Sequence, residues 1–263
     1  MTQGAGRALV TGAGRRLGRA MALYLAGRGL DVAVHYASSA GEAEAVAAEA
    51  RALGVQAVAL RADLTAEDEM QALVPAAAAA LGGALTVLVN NASIFEYDNI
   101  ATATRASWDR HLESNLRAPF VLTQGFAAQA PAAARDANGE PVATGLVVNL
   151  IDQRVLKPTP EFMSYTIAKM GLWALTRTSA QALAPGIRVN AIGPGPTMQG
   201  ARQSSGHFAA QRAACLLGRG AHPADITAAL GYFLDAPAVT GQLLCIDGGQ
   251  HLNWQTPDVL GVE

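Results

Sequence analysis

The chain reads as one α/β domain, residues 1–263, built on a doubly wound, seven-stranded parallel sheet with helices on both faces. Three observations lead there. Short β-type runs alternate with helix-length segments along the chain. Those runs are continuously apolar rather than alternating, as strands covered on both faces must be. A glycine-rich turn, Thr11-Gly12-Ala13-Gly14-Arg15-Arg16-Leu17-Gly18, joins the first run to the first helix.

The elements follow in order. Ala8–Val10 is the first strand, and a helix closed by Gly27 and Gly29 leads to the second, Asp31–His35. An Ala/Glu-rich helix ends at Gly54 before the third strand, Val55–Leu60. The stretch Ala72–Val89 carries no charge and is long enough to span a bilayer. Pro75, Gly82 and Gly83 interrupt it, so it reads instead as an Ala-rich helix, a turn and the buried strand Leu85–Val89. Pro131–Thr144 carries the loop signature Asp136-Ala137-Asn138-Gly139-Glu140-Pro141 before the strand Gly145–Leu150. Ile187–Ile192 and Gln242–Ile246 complete the sheet. Between them, a Gly-, Pro-, Ser- and Gln-rich segment begins at Pro194, beyond a strand's carboxyl end. Such ends bind ligands in open α/β sheets, so it is expected to form a mobile substrate flap over about 194–215.

Composition excludes several classes. Net charge is −2 and no basic run exceeds Arg15-Arg16, so no electrostatic footprint for nucleic acid is present. Charged residues make up only 15 %, low for a monomer's surface, which points to self-association. Cys215 and Cys245 read as small buried hydrophobes, and two thiols make no disulfide framework, which suits a reducing cytoplasm. The start of the chain lacks signal-peptide architecture. His35, His111, His207, His222 and His251 show no metal-ligand spacing, and no metal is expected.

The glycine turn is the candidate cofactor site. A dinucleotide's phosphates need close backbone approach and unpaired N–H donors, and a glycine turn opening a helix supplies both. Gly12, Gly14 and Gly18 are so placed, although Leu17 stands where G-x-G-x-x-G would have its third glycine. At the second strand's end, His35-Tyr36-Ala37-Ser38-Ser39 contains no acid to bind a ribose 2′-hydroxyl or repel a 2′-phosphate. Arg15 and Arg16 can reach the adenosine phosphate, and Ser38 and Ser39 can donate hydrogen bonds to it, so NADPH is expected. The plain alternative is that the two arginines are solvated on a helix's first turn.

Tyr165 and Lys169 form the chain's Tyr-x-x-x-Lys, and their i, i+4 spacing puts them on one helix face. A nearby ammonium would lower the phenol's pKa toward that of a working general acid, and the lysine can also hold the nicotinamide ribose. Asp152 lies thirteen positions before Tyr165. It is either a protonated acid in a buried site or an ionised residue paired with Arg154.

Taken with Asp63, Asn90-Asn91-Ala92, Asn115, Pro194-Gly195 and Asp247-Gly248-Gly249 in this order, these motifs resemble the short-chain dehydrogenase/reductase family over nearly the whole length. The resemblance implies a Rossmann sheet, usually assembled as a homotetramer through two long helices. It implies that Asp63 and Leu64 face the adenine, and that Asn91 and Ala92 lie along the adenosine ribose. Ser93, Pro194 and Gly195 join the cofactor-binding set. Asn115 would organise a helix and a water for proton relay, Tyr165 would donate the proton and Lys169 would bind the ribose. The chain departs from the family pattern at three positions: Arg16 for the middle glycine of T-G-x-x-x-G-x-G, Ser93 for the glycine of N-N-A-G, and Asp152 for the usual serine. With His35-Tyr36 and Phe95, these departures resemble the pteridine reductase branch, which includes dihydromonapterin reductases. There the aromatic at Phe95 would stack on a pterin ring, and Arg16 would approach both cofactor and pterin. An arginine that some members carry two after the His-Tyr pair is Ser38 here.

The chemistry agrees. A pterin C=N needs a proton on nitrogen as hydride reaches carbon, and a carboxylic acid beside a tyrosine can supply it. The expected function is NADPH-dependent reduction of a dihydropterin, with Phe95, Arg16, Asp152 and Tyr165 against the substrate. Two alternatives stand beside it: a reductase of another small carbonyl or alcohol, and a non-catalytic NADPH-sensing protein.

Overall fold

The computed structural model describes residues 6–200, 203–256 and 259. Ala201 and Arg202 of the expected flap lie outside the described residues. Seven parallel strands form one sheet: β1 (Arg7–Val10), β2 (Asp31–Tyr36), β3 (Ala57–Arg61), β4 (Val87–Asn90), β7 (Gly145–Leu150), β8 (Ile187–Pro194) and β9 (Leu243–Ile246). Their spatial order is β3-β2-β1-β4-β7-β8-β9. This is the Rossmann-type architecture, and the direction of winding reverses between β1 and β4. The crevice beyond the carboxyl ends of those two strands is where such sheets take ligands.

Alternation within each strand explains the continuous apolar runs. Ala8, Val10, Val32 and Val34 face one core, with helices α1 (Arg16–Gly27), α2 (Ala40–Ala52) and α8 (Pro223–Asp235). Leu9, Ala33, Leu88, Val147 and Val189 face the other, with α3 (Glu67–Ala80), α5 (Ala118–Gln129) and α6 (Met163–Leu183). Both faces are covered by helices, so the strands are mostly apolar, and among their polar residues Asp31, His35, Asn90, Asn149 and Asn190 are buried. α3 runs through Pro75 without a break and stops before Gly82, whose φ of +71° suits glycine.

Two segments differ from the sequence reading. Pro131–Thr144 was expected to be irregular, yet β5 (Ala134–Arg135) and β6 (Pro141–Val142) pair there as a short antiparallel hairpin. Asp136 and Gly139 make its turn, where Asp136 Oδ1 accepts hydrogen bonds from the N–H groups of Asn138 and Glu140. The flap is irregular only at its start and continues into helix α7 (Ser205–Ala213), N-capped by the Ser204 hydroxyl. α4 (Arg105–Leu112) passes through a π turn, Glu113–Arg117, into α5.

Candidate active site

The glycine turn sits at the carboxyl end of β1, and its packing shows why glycine is needed there. A Cβ on Gly12 would stand 3.0 Å from Ala92 Cα, and Gly12 has φ +61°. A Cβ on Gly18 would stand 2.2 Å from the Gly12 carbonyl oxygen. Gly14 has a different function: a Cβ there would stand 2.9 Å from Ser39 Oγ, so it makes room for the entry to α2. The turn is held by a residue the sequence reading did not place in the site. Thr11 Oγ1 accepts from the N–H groups of Asn91 (2.9 Å) and Ala92 (3.0 Å). The Asn91 amide donates to the carbonyls of Thr11 (2.8 Å) and Gly12 (3.1 Å), so its side chain ties β1 to β4.

His35 was expected to touch the cofactor. It lines the cavity, but both its nitrogens are engaged. Nδ1 accepts from Gly12 N–H at 3.0 Å, so Nε2 carries the proton and donates to Ala62 O at 3.0 Å. Burial holds its pKa below the usual value, which keeps this tautomer neutral. His35 therefore braces the glycine turn against β3. Tyr36, Ser38 and Ser39 do not line the cavity. Asp31, at the far end of β2, accepts from Gln56 N–H at 2.8 Å and orders the entry to β3.

The two arginines both line the cavity. Arg15 ion-pairs with Glu42 of α2. Arg16 takes the left-handed conformation, φ +54°, where the family pattern has glycine. Its guanidinium donates to Gln199 O at 2.7 Å and Met198 O at 3.0 Å, bridging the glycine turn to the segment after β8. The first turn of α1 has no side-chain cap, so the N–H groups of Arg16, Leu17 and Gly18 remain available to an anion. These groups, with Asp63, Leu64, Ala92 and Ser93, line a cavity of about 410 Å³. Asp63 is held below the usual carboxylate range by the Thr65 hydroxyl and N–H. No acid follows β2. This cleft has the shape and donors for a dinucleotide phosphate.

A second cavity of about 790 Å³ adjoins the first and shares Arg16, Leu17 and Ser93 with it. Asp152, Phe95, Pro194 and Gly195 line this one. Gly195 packs where a Cβ would stand 2.5 Å from Asp247 Cβ, which seats the flap's start on the loop after β9. Asp152 follows β7, and α6 presents Tyr165 and Lys169 to it one turn apart. Tyr165 Oη donates to Asp152 Oδ2 at 3.0 Å, and Asp152 Oδ1 accepts from Arg154 N–H at 2.8 Å. Lys169 Nζ donates to Leu150 O at 2.8 Å. Among the described residues the Arg154 guanidinium makes no ion pair with Asp152. It donates to Thr159 and to the Glu161 carbonyl, and lies 5.4 Å over the Phe162 ring.

Burial dominates the electrostatics. It pushes the Asp152 carboxyl above the usual range, against the Arg154 N–H and the nearby cations. It lowers Lys169 to about 8, against the attraction of Asp152. The Tyr165 phenol is pushed well up, first by burial and then by the Asp152 charge; the Ser93 hydroxyl pulls the other way. This corrects the expectation that Lys169 lowers the phenol's pKa. A carboxyl 3.0 Å away and a dry setting outweigh an ammonium that lies 5.7 Å from the ring centroid.

Asn115 sits in the π turn, fully buried. Its side chain brackets Ile94, accepting from its N–H at 2.9 Å and donating to its carbonyl at 2.8 Å. It therefore clamps the segment that carries Phe95. The Phe95 ring stacks on Phe162 (4.3 Å, 11°) and meets Tyr165 edge-on (4.7 Å). Phe162 escaped the sequence reading. Its position three before Tyr165 places it near the site, but nothing local marks its positive φ of 57°.

A family model described as enoyl-(acyl carrier protein) reductase, adh_short_C2, matches residues 12–251. The chain belongs to the short-chain dehydrogenase/reductase family. The chain is 41 % identical to the crystal structure of FolM alternative dihydrofolate reductase 1 from Brucella suis in complex with NADP, covering 97 % of this chain and 98 % of that one at a TM-score of 0.89. It is 32 % identical to a short-chain dehydrogenase from Burkholderia cenocepacia in complex with NADP, covering 93 % and 97 % at a TM-score of 0.84. It is also 32 % identical, over 93 % of its own length and 98 % of the relative's, to 3-oxoacyl-[acyl-carrier-protein] reductase FabG of Staphylococcus aureus. In this short-chain oxidoreductase the buried Tyr165 bonds Asp152, which lines the second cavity, and Lys169 follows one turn further along α6.

Proposed function

We propose that this chain is an NADPH-dependent reductase of a dihydropterin, of the pteridine or dihydromonapterin reductase kind. The observation that carries the reading is the Tyr165–Asp152 hydrogen bond in a site that burial keeps favourable to a neutral carboxyl. The 41 % identical FolM structure supports both the substrate class and the cofactor. So does the lack of an acid at the end of β2, from Tyr36 to Gly41, where one would repel a 2′-phosphate.

NADPH, when bound, supplies the hydride. The protein's part is to hold it and to handle the proton. The α1 amides, Arg15 and the Gly12–Gly18 cradle take the phosphates. Asp63, Leu64 and Ala92 take the adenosine end, and Lys169 takes the nicotinamide ribose. The protonated Asp152 carboxyl gives its proton to the imine nitrogen as the neighbouring ring carbon is reduced. Tyr165 keeps its own proton and donates a hydrogen bond to that carboxyl, steadying the carboxylate until solvent reprotonates it. Phe95 offers its ring face to the planar substrate, and Arg16 holds the flap over the cleft. Asn115 keeps Phe95 in place. The chain acts as one domain with its flap at about 194–215, and works in the cytoplasm as a homotetramer.

The test is NADPH consumption with dihydrobiopterin, dihydromonapterin and dihydrofolate. Turnover that disappears in Asp152→Ala and Tyr165→Phe is expected. NADPH binding without any pterin turnover would overturn the reading. A second reading, reduction of another small carbonyl, is favoured by the FabG relatives. Asp152→Ser separates the two: it preserves activity on a carbonyl and nearly abolishes it on a pterin. Hydride transfer to no substrate, with partner binding that depends on NADPH, would instead indicate a cofactor sensor.

A further inference from the structure

Helix α6 carries Tyr165 and Lys169, yet its own N-cap residue is Phe162, which offers no capping side chain. The missing cap comes from Asp98, on the segment that also carries Phe95 and Tyr97. Asp98 Oδ1 accepts from Ser164 N–H at 3.1 Å, and its backbone carbonyl accepts from Met163 N–H at 3.2 Å. Its second carboxylate oxygen accepts from the hydroxyls of Ser164 and of Ser107, the latter at 3.2 Å. His111 Nε2 accepts from Glu96 N–H at 3.1 Å, so Nδ1 carries the proton and donates to Ser164 Oγ at 2.6 Å. The hydrogens thus run one way: Glu96 N–H to His111, His111 to Ser164, Ser164 to Asp98. Asp98, His111 and Ser164 are each at most 1 % exposed. These hydrogen bonds hold the Asp98 pKa below the usual value despite burial, while burial lowers that of His111. The pair is therefore a carboxylate and a neutral imidazole. A buried charge without a cationic partner persists only where donors converge on it, and here they reach the Asp98 carboxylate from Ser107 of α4 and Ser164 of α6.

We infer that Asp98, Ser164 and His111 are positioning residues for the reaction: they lock the Phe95 segment to the start of α6, and so set the Phe95 ring and the Tyr165 hydroxyl relative to each other. The His111 ring meets Tyr165 at 6.1 Å, and Ser164 is its chain neighbour, so the network touches the catalytic helix at the turn that presents the phenol. Asn115 fixes Ile94 and this network fixes Glu96 and Asp98, so Phe95 is pinned on both sides. A rigidly held ring can orient a flat substrate. The choice of a ring substrate rests on the dihydropterin reading; the positioning of Tyr165 does not.

The test compares Asp98→Ala, Asp98→Asn and Ser164→Ala with wild type in steady-state kinetics, NADPH fluorescence titration and thermal unfolding. Two substrates are used, dihydromonapterin and a small activated ketone. Ser164→Ala is expected to lower kcat/KM at least tenfold while the NADPH Kd stays within twofold. Asp98→Ala should lose more. Asp98→Asn, which keeps the acceptor for Ser164 N–H, should recover most of that loss. Equal kcat/KM per folded molecule in wild type, Ser164→Ala and Asp98→Asn, with only a lower unfolding temperature, would overturn the inference. If Asp98→Ala fails to fold, Ser164→Ala decides. If wild type turns over the ketone but not the pterin, the dihydropterin reading fails and the ketone kinetics still decide the network. A crystal structure of Ser164→Ala is the readout that needs no turnover. Displacement of Phe95 from Tyr165 supports the inference; an unchanged contact overturns it.

Discussion

Asp152 and Tyr165 are two acids sharing one hydrogen bond, the phenol buried and the carboxyl half-buried at the edge of the larger cavity, and that decides which forms they keep. Burial raises both, so the neutral carboxyl and the neutral phenol persist to higher pH than in water. If the carboxyl is the proton donor, kcat/KM for the pterin falls as pH rises through its raised pKa. Stopped-flow rates over a pH series check this, and a rate that climbs with pH would contradict it. Lys169 makes a second prediction. Its pKa drops from 10.5 to about 8, so the unfolded chain holds more protons than the folded one between those values. Stability therefore rises with pH across that window. The stability of Lys169→Met relative to wild type should shrink over the same window, by on the order of 3 kcal/mol. Urea unfolding at pH 8 and pH 10 measures the difference.

At the level of elements, the site is made where segments distant in sequence are tied together. The glycine turn is braced by His35 from β2 and by Thr11 and Asn91 across β1 and β4. The flap is latched to α1 by Arg16, a residue in a backbone conformation that favours glycine. Arg16→Gly removes that strain, worth about 1 kcal/mol, together with two exposed hydrogen bonds of about 1 kcal/mol each or less. The opposing terms leave the unfolding temperature nearly unchanged, while the freed flap becomes easier to cut. Limited proteolysis should show faster cleavage between Pro194 and Gly200, and KM for the substrate should rise. An unchanged cleavage pattern would mean that the latch does not hold the flap.

Across the whole molecule, the cofactor cleft sits where the winding of the sheet reverses, so filling it stabilises the fold by mass action. NADPH at a hundredfold over its Kd should add about 2.7 kcal/mol, a shift of several degrees in unfolding temperature. NADH at the same concentration should add less, because nothing after β2 reads a 2′-hydroxyl as an acid would. Equal shifts from the two cofactors would refute the argument from charge. Trp108, Phe120, Ile167 and Met170 stay exposed on α4, α5 and α6. Light scattering that finds four chains per particle would match an apolar helical face covered by other copies; a monomer would refute the tetramer.

The strands, the glycine turn, the Tyr165–Lys169 pair and Asp152 were legible in the sequence, because each leaves a local mark: an apolar run, a glycine spacing, an i, i+4 repeat. The short hairpin at Ala134–Val142 was not, since two-residue strands carry no periodicity. Nor was the direction of the Tyr165 pKa shift, because burial outweighs a neighbouring charge and burial is not local. His35 also braces the glycine turn and Arg16 also ties it to the segment after β8, contacts that residue type alone does not mark. The Asp98–Ser164–His111 network was invisible for the same reason. Its members stand up to 66 positions apart, and only folding brings their donors and acceptors within hydrogen-bond range. Chain chemistry by itself determined which groups exist and which short segments hold them. The tertiary structure decided which groups are dry, which are already paired, and which are left to meet a ligand.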